Sequence, residues 1–186
     1  ESIVQAKRVL EIFKEMSQIP RESGNEKGIS DYIVNFAKNL GLEVHQDDQF
    51  NVVIKKPASP GYENRPSIIL QGHIDMVCVR DHDSNHDFSK DPIANIIEGE
   101  WMHADHTTLG ADNGMGGAMM LAILEDDSQQ HGPMQLLFTT NEETGMDGAF
   151  AIKEGQVSGD YLLNLDTEVE HDFTVSCAGG CHVHVN

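Results

Sequence analysis

Thr108-Leu-Gly-Ala-Asp-Asn-Gly-Met-Gly-Gly117 is a run of small residues with a single carboxylate, Asp112, at its centre. Met115, Ala118, Met119, Ala122 and Ile123 follow at helical spacing, so the run reads as a tight turn feeding a buried helix. Asp112 is expected to stand exposed at the mouth of that helix. Glycine lets backbone and ligand approach closely, and a short acidic side chain is favoured at a helix start by capping. An ordinary capped helix against a sheet carries the same pattern. The two readings separate only if ligand-type side chains elsewhere in the chain converge on Asp112.

Three apolar runs supply such side chains. Ser67-Ile-Ile-Leu-Gln71 reads as a buried central strand that delivers Gly72-His73-Ile-Asp75 at its C-terminal end. Pro133-Met-Gln-Leu-Leu-Phe-Thr-Thr140 is a second buried strand and ends in Asn141-Glu142-Glu143-Thr-Gly145. Tyr161-Leu-Leu-Asn-Leu165 is a third, followed by Asp166-Thr-Glu168. Open α/β sheets bind ligands at the carboxyl ends of their strands. His73 and Asp75 lie two apart, so in an extended chain their side chains point the same way, and a carboxylate behind a ligating histidine fixes its tautomer. Glu142 and Glu143 are adjacent and point in different directions, so one can bind metal while the other faces substrate. Two bare carboxylates in contact repel, and a cation removes that difficulty. Parallel strands ending on one edge bring His73, Asp112, Glu143 and Asp166 together. Imidazole nitrogen and carboxylate oxygen suit a divalent transition metal such as zinc, which makes a bound water nucleophilic, with Glu142 as general base.

The flanks are less informative. Residues 3–17 form an amphipathic helix stopped by Pro20. Ser23-Gly-Asn-Glu26 has the spacing of a capping box, and a second helix runs to about Leu40, where Gly41 ends it. No chemistry is recognised on either helix. Strands are expected at Leu42–His45 and Asn51–Lys55, before the breaker cluster Pro57-Ala-Ser-Pro-Gly61. Asp81-His-Asp-Ser-Asn-His-Asp87 imitates a calcium loop but has His86 at the sixth position and Pro92 at the twelfth, so it reads as a solvated excursion. Glu98-Gly-Glu-Trp101 is a turn into a strand. Asp172–Ser176 and His182–Val185 read as strands around Ala178-Gly-Gly180, and Cys177-x-x-x-Cys181-His182-x-His184 does not have the spacing of a zinc knuckle.

The 186 residues suffice for one domain, or part of a larger one. A net charge of -19, from 12 basic and 31 acidic residues, argues against nucleic acid and against anionic membrane surfaces. No apolar run is long enough to span a bilayer, and no signal-peptide pattern opens the chain. Three cysteines form no disulfide framework, which fits a reduced, cytoplasmic setting.

Taken together, Gly-His-Ile-Asp-Met-Val, Thr-Thr-Leu-Gly-Ala-Asp-Asn-Gly, Glu-Glu-Thr-Gly-Met-Asp-Gly-Ala-Phe, Leu-Asp-Thr-Glu and Cys-Ala-Gly-Gly resemble, in order, the cytosolic aminoacyl-histidine dipeptidases (peptidase D, Xaa-His dipeptidase). These sit within a wider group of co-catalytic zinc peptidases and deacylases. The resemblance implies an α/β catalytic domain: a mostly parallel central sheet with helices on both faces. It implies two zinc ions bridged by Asp112, with cobalt or manganese as possible substitutes. His73 and Asp166 complete one site and Glu143 binds the other ion. Asp75 orients His73, while Glu142 takes a proton from the bridging water and returns it to the leaving amine. It also implies a cis Asp112–Asn113 peptide, a small peptide substrate, a cytoplasmic location and a homodimeric full-length enzyme.

Two departures stand out. Ala104-Asp105-His106-Thr-Thr108 replaces the usual Ala-Arg-Gly-Thr-Thr, adding acid and imidazole near the mouth of the site. In the family, moreover, a lid or dimerisation domain follows Cys-Ala-Gly-Gly, and the chain then returns with one further histidine ligand. Residues 1–186 are therefore expected to be the N-terminal part of the zinc-dependent catalytic domain, with one zinc site nearly whole, the other a ligand short, and negligible hydrolysis alone. His182 and His184 fall where the chain leaves for the lid and are not taken as the missing ligand. The alternatives are a non-catalytic domain of the same fold that binds metal or a partner, and a related tripeptidase, aminoacylase or desuccinylase. The Met-Asp-Gly-Ala-Phe wording favours the dipeptidase branch.

Overall fold

Pro20 lacks the N–H that would continue a helix, and the first helix, α1 (Ser2–Ser17), stops just short of it. α1 buries Ile12, Phe13 and Met16, and the second helix, α2 (Lys27–Asn39), buries Ile29, Ile33 and Ala37 along one face. Gly41, at φ 72°, turns the chain out of α2. The helix begins later than Ser23 suggests. Glu26 is its N-cap and makes no side-chain capping bond, so the expected capping box does not form. Both side chains of that motif are bonded elsewhere, as described below.

The computed structural model describes residues 2–167, 169 and 171–176. After α2 come β1 (Glu43–Gln46), β2 (Val52–Lys56), β3 (Ile68–His73), a separate hairpin of β4 (Asn95–Glu98) and β5 (Trp101–Ala104), α3 (Ala111–Glu125), β6 (Met134–Thr139), α4 (Asp147–Ala151) and β7 (Tyr161–Asn164). The main sheet has the order β1-β2-β6-β3-β7. β3 lies parallel to both β6 and β7, whereas β2 runs antiparallel to β1 and β6. The α/β expectation holds, but the sheet is mixed, with its parallel part formed by the three strands that carry the candidate ligands. The connection from β1 to β2 is short, and a short connection joins strands only as an antiparallel pair.

Alternate side chains of the central strands face opposite sides. Val52, Ile54, Leu70, Leu136 and Phe138 meet Phe13, Met16, Ile33, Met120 and Leu121 from the three long helices in the main core. Each such burial contributes roughly 1.5–3 kcal/mol. On the other side Val53, Ile69 and Leu137 pack under Ile152 and Val157, just past α4. Lys56, nearly buried, donates from Nζ to the carbonyls of Ile123, Leu124 and Asp126, so a cation closes the C-terminal end of α3.

One expected strand is missing. Residues 172–176 have no regular structure, and Phe173 and Val175 are exposed. Their alternating pattern meets no partner strand among the described residues, and an unpaired strand does not persist. The expected strand at His182–Val185, the Cys177–His184 cluster and Glu168 lie outside the described residues. Asp81–Asp87 is the largely exposed, irregular excursion expected. None of the described helices is long and apolar enough to cross a membrane.

Candidate metal centre

Register places the ligands before any side chain is considered. His73 of β3 pairs with Thr139 of β6, and Gln71 pairs with Asn164 of β7. Asp166, two residues beyond Asn164, therefore comes level with His73, and the loop bearing Glu142 and Glu143 leaves the same edge. The His73 side chain is 1% exposed, with Nδ1 3.2 Å from Asp75 Oδ1 and Nε2 3.0 Å from Asp112 Oδ1. Asp166 Oδ2 and Glu142 Oε2 lie 3.7 and 3.9 Å from the same Nε2. Ligand atoms of His73, Asp112 and Glu143 all fall within 4.8 Å of one another. All six residues singled out from the sequence thus meet at one sheet edge.

The mouth of α3 is not a capped helix. Gly110 stands at the N-cap at φ 74°, Asp112 and Asn113 have non-helical backbone, and the Asp112–Asn113 peptide is cis, as expected. Asp112 makes no capping bond; its side chain is 64% exposed and faces His73. Asn113 is buried instead, donating from Nδ2 to Leu165 O at 2.8 Å and Asp166 Oδ1 at 3.2 Å. It is wedged so tightly that a Cβ on Gly72 would collide with Asn113 Oδ1, and one on Gly116 would lie 2.6 Å from it. The glycine after the helix mouth and the glycine before His73 make room for the same amide.

Asp75 is the hub behind the site. Its carboxylate is fully buried and accepts from the His73 ring, from Ser23 Oγ at 2.7 Å, and from the backbone N–H groups of Glu142 and Glu143 at 3.1 and 3.2 Å. One residue therefore orients the imidazole and pins the loop that carries the glutamate pair. The two preceding N–H groups of that loop are also held by buried side chains: Thr140 N–H by Asn51 Oδ1 and Asn141 N–H by Glu26 Oε1. Ser23, Glu26 and Asn51 were not anticipated from the sequence. Ser23 and Glu26 were legible only as a capping box, and Asn51 heads an apolar run, where a turn residue is ordinary.

These contacts set the charges. Burial alone would raise the Asp75 carboxyl, but bonds from His73, Ser23 and the Glu142 N–H outweigh it and hold it down at about 2. Burial likewise opposes charge on His73, and the bonds to Asp75 and Asp112 override it, lifting the imidazole to about 9. Glu142, Glu143 and Asp166 are all pushed up, first by burial and then by neighbouring carboxylates, despite the opposing pull of His73. Five carboxylates around one imidazole leave the edge short of positive charge. An imidazole nitrogen and several carboxylate oxygens at this spacing form a donor set that fits a divalent cation.

Asp105 and His106 stand apart from that set. His106 pairs with Asp81 at 2.7 Å, which raises its pKa, in an open pocket of about 460 Å³ also lined by Arg80 and His103.

The sequence profile of peptidase family M20/M25/M40 matches residues 69–184. The chain is 46% identical over 170 residues to the cytosol non-specific dipeptidase of Escherichia coli, a match that takes in 91% of this chain and 35% of that one. The crystal structure of aminoacylhistidine dipeptidase from Vibrio alginolyticus superposes with a TM-score of 0.85 at 47% identity, covering 88% of this chain and 33% of that one. A tripeptidase from Staphylococcus aureus superposes with a TM-score of 0.74 at 26% identity, covering 88% and 44%. The chain spans about a third of the length of the two dipeptidases.

Proposed function

Because the chain belongs to peptidase family M20/M25/M40, we propose that residues 1–186 are the N-terminal part of a cytosolic metallo-dipeptidase that hydrolyses dipeptides of the Xaa-His type and others. The observation that carries the reading is the His73–Asp112–Glu143 cluster at one sheet edge, with Asp75 behind it and Glu142 beside it. Identities of 46% and 47% to two dipeptidases, against 26% to a tripeptidase, support the dipeptidase branch. The threefold greater length of those dipeptidases supports a lid or dimerisation domain and a C-terminal catalytic segment in the remainder of a homodimeric enzyme.

His73, Asp112 and Asp166 would hold one zinc ion, and Asp112 with Glu143 the other, for which the described residues supply no histidine ligand. Cobalt or manganese suits the same donors. Bound there, the metal supplies Lewis acidity toward water and toward the scissile carbonyl. Asp75 accepts the His73 Nδ1 proton and so turns the lone pair of Nε2 toward the site. Glu142 takes the proton of the attacking water and returns it to the leaving amine, a task that its raised pKa favours. The net charge of -19 suits neither nucleic acid nor an anionic membrane as partner.

Calorimetric titration of the chelator-treated chain with Zn²⁺ tests this. One tight site and a second at least tenfold weaker are expected, with no dipeptide hydrolysis by rigorously purified chain. Two equally tight sites would refute the incomplete second site. No zinc uptake at all would favour a non-catalytic domain of the same fold.

A further inference from the structure

Arg21 sits in the turn between α1 and α2, only 2% exposed, and among the described residues no carboxylate lies within hydrogen-bond reach of it. A buried guanidinium without a paired anion is expensive, and such a group persists where its donors are needed. Nη1 donates to the carbonyls of Ile74 and Asp75 at 3.2 Å each, just past the end of β3, and Nη2 donates to the carbonyl of Gly110, two residues before Asp112. Nε is buried without an acceptor among the described residues. The fork thus spans two separate pieces of chain, one carrying the His73–Asp75 pair and the other carrying Asp112.

We infer that Arg21 is a positioning residue of this centre, stapling the end of β3 to the turn into α3 and so fixing His73 and Asp112 relative to each other. The glycines on either side of Asp112 point the same way. A Cβ on Gly110 or on Gly114 would lie 2.5 Å from Arg21 Nη2, so both positions leave space for the guanidinium. The backbone adds a direct link, since Met76 N–H donates to Arg21 O at 3.0 Å. A planar fork reaches carbonyls on two elements at once, which the single ammonium of a lysine does not. Burial lowers the Arg21 pKa to about 10 against the pull of Asp75 and Asp112, so the group stays cationic at neutral pH. Its charge then lies behind the acid-rich edge without competing for the ligand side.

The inference rests on the metal-site reading above, and its test separates the two. The complete chain is titrated with Co²⁺, whose visible spectrum reports ligand geometry, alongside Arg21→Met and Arg21→Lys. With the parent binding Co²⁺, Arg21→Met is expected to remain folded by circular dichroism, to lose at least tenfold in Co²⁺ affinity and to show an altered visible band. Arg21→Lys should recover only part of the loss. A variant that melts earlier but keeps the parent affinity and spectrum would overturn the positioning role and leave the metal site standing. Should Arg21→Met not accumulate as folded protein, Arg21→Lys decides: parent affinity and spectrum there overturn the role as well. A parent that binds no Co²⁺ overturns both readings.

Discussion

Replacing Gly116 by alanine tests the wedge that joins α3 to the end of β7. The new Cβ would lie 2.6 Å from Asn113 Oδ1 and 2.7 Å from Leu165 O. The second of these is a backbone atom, so no side-chain rotation relieves the contact. Forcing a methyl group into such a space costs about 1–3 kcal/mol. Displacing Asn113 also weakens its bonds to Leu165 O and Asp166 Oδ1, worth about 1 kcal/mol each. Removing a glycine from a helix returns only about 0.8–1 kcal/mol. The balance is a loss of about 2 kcal/mol, with weaker zinc binding because Asp166 moves. Gly117 is the internal control. A Cβ there meets Met16 Cε at 3.1 Å, the mobile end of a flexible side chain, so Gly117→Ala should be neutral within about 0.5 kcal/mol or slightly stabilising. Urea denaturation at a common m-value compares the two. If Gly116→Ala proves as stable as Gly117→Ala, the close packing of Asn113 against α3 is wrong.

Two further outcomes follow from the charges. In chelator, the pair His73–Asp75 should give a stability optimum between about pH 4 and 6.5. The depressed Asp75 pKa contributes stability above its ordinary value of 3.8 that is lost as pH falls toward about 2. The raised His73 pKa contributes stability below 6.5 that is lost as pH rises through about 9, on the order of 3 kcal/mol. Urea midpoints from about pH 2 to about pH 10 check both limbs, a flat alkaline limb would refute the pairing, and His73→Asn should abolish it. Lys56→Met, which strips the donor from three carbonyls at the far end of α3, should lose about 1–3 kcal/mol in urea and leave zinc affinity unchanged. A fall in zinc affinity beyond threefold would show that the two ends of α3 are coupled.

Three of the candidate ligands, His73, Glu143 and Asp166, were legible because each follows an apolar run whose end is visible in one dimension. Ile68–Leu70 and Leu136–Phe138 announce buried strands, whereas Tyr161–Leu163, expected to be buried as well, forms a strand paired with β3 whose side chains are exposed among the described residues. In each case the polar residues that follow stand at the strand end. Helical periodicity after Gly114 likewise located α3, although the cis peptide and non-helical Asp112 and Asn113 make its first turn irregular. The layer behind the ligands was illegible for a physical reason. Ser23, Glu26 and Asn51 bond to groups 52, 115 and 89 residues away, and short polar side chains carry no mark of which distant N–H they will satisfy. Ser23-x-x-Glu26 even has a complete local meaning, as a capping box, that the tertiary contacts override. Residues 172–176 fail in the opposite sense, because alternation states a preference for strand but not the partner that a strand requires.

That division bears on how the site is built. The candidate ligands ride on strand ends and a helix mouth, elements whose positions follow from core packing. Their relative placement depends on buried bonds that cross between those elements. Asp75 accepts from the Glu142–Glu143 loop, Asn113 holds the end of β7, and Arg21 joins β3 to the mouth of α3. Raised pKa values on Glu142, Glu143 and Asp166 mean that burial first, and repulsion from neighbouring carboxylates after it, work against this arrangement whenever they ionise. Cross-element bonds of this kind keep the carboxylates converged against that repulsion, and a cation arriving at the edge then meets a site already assembled.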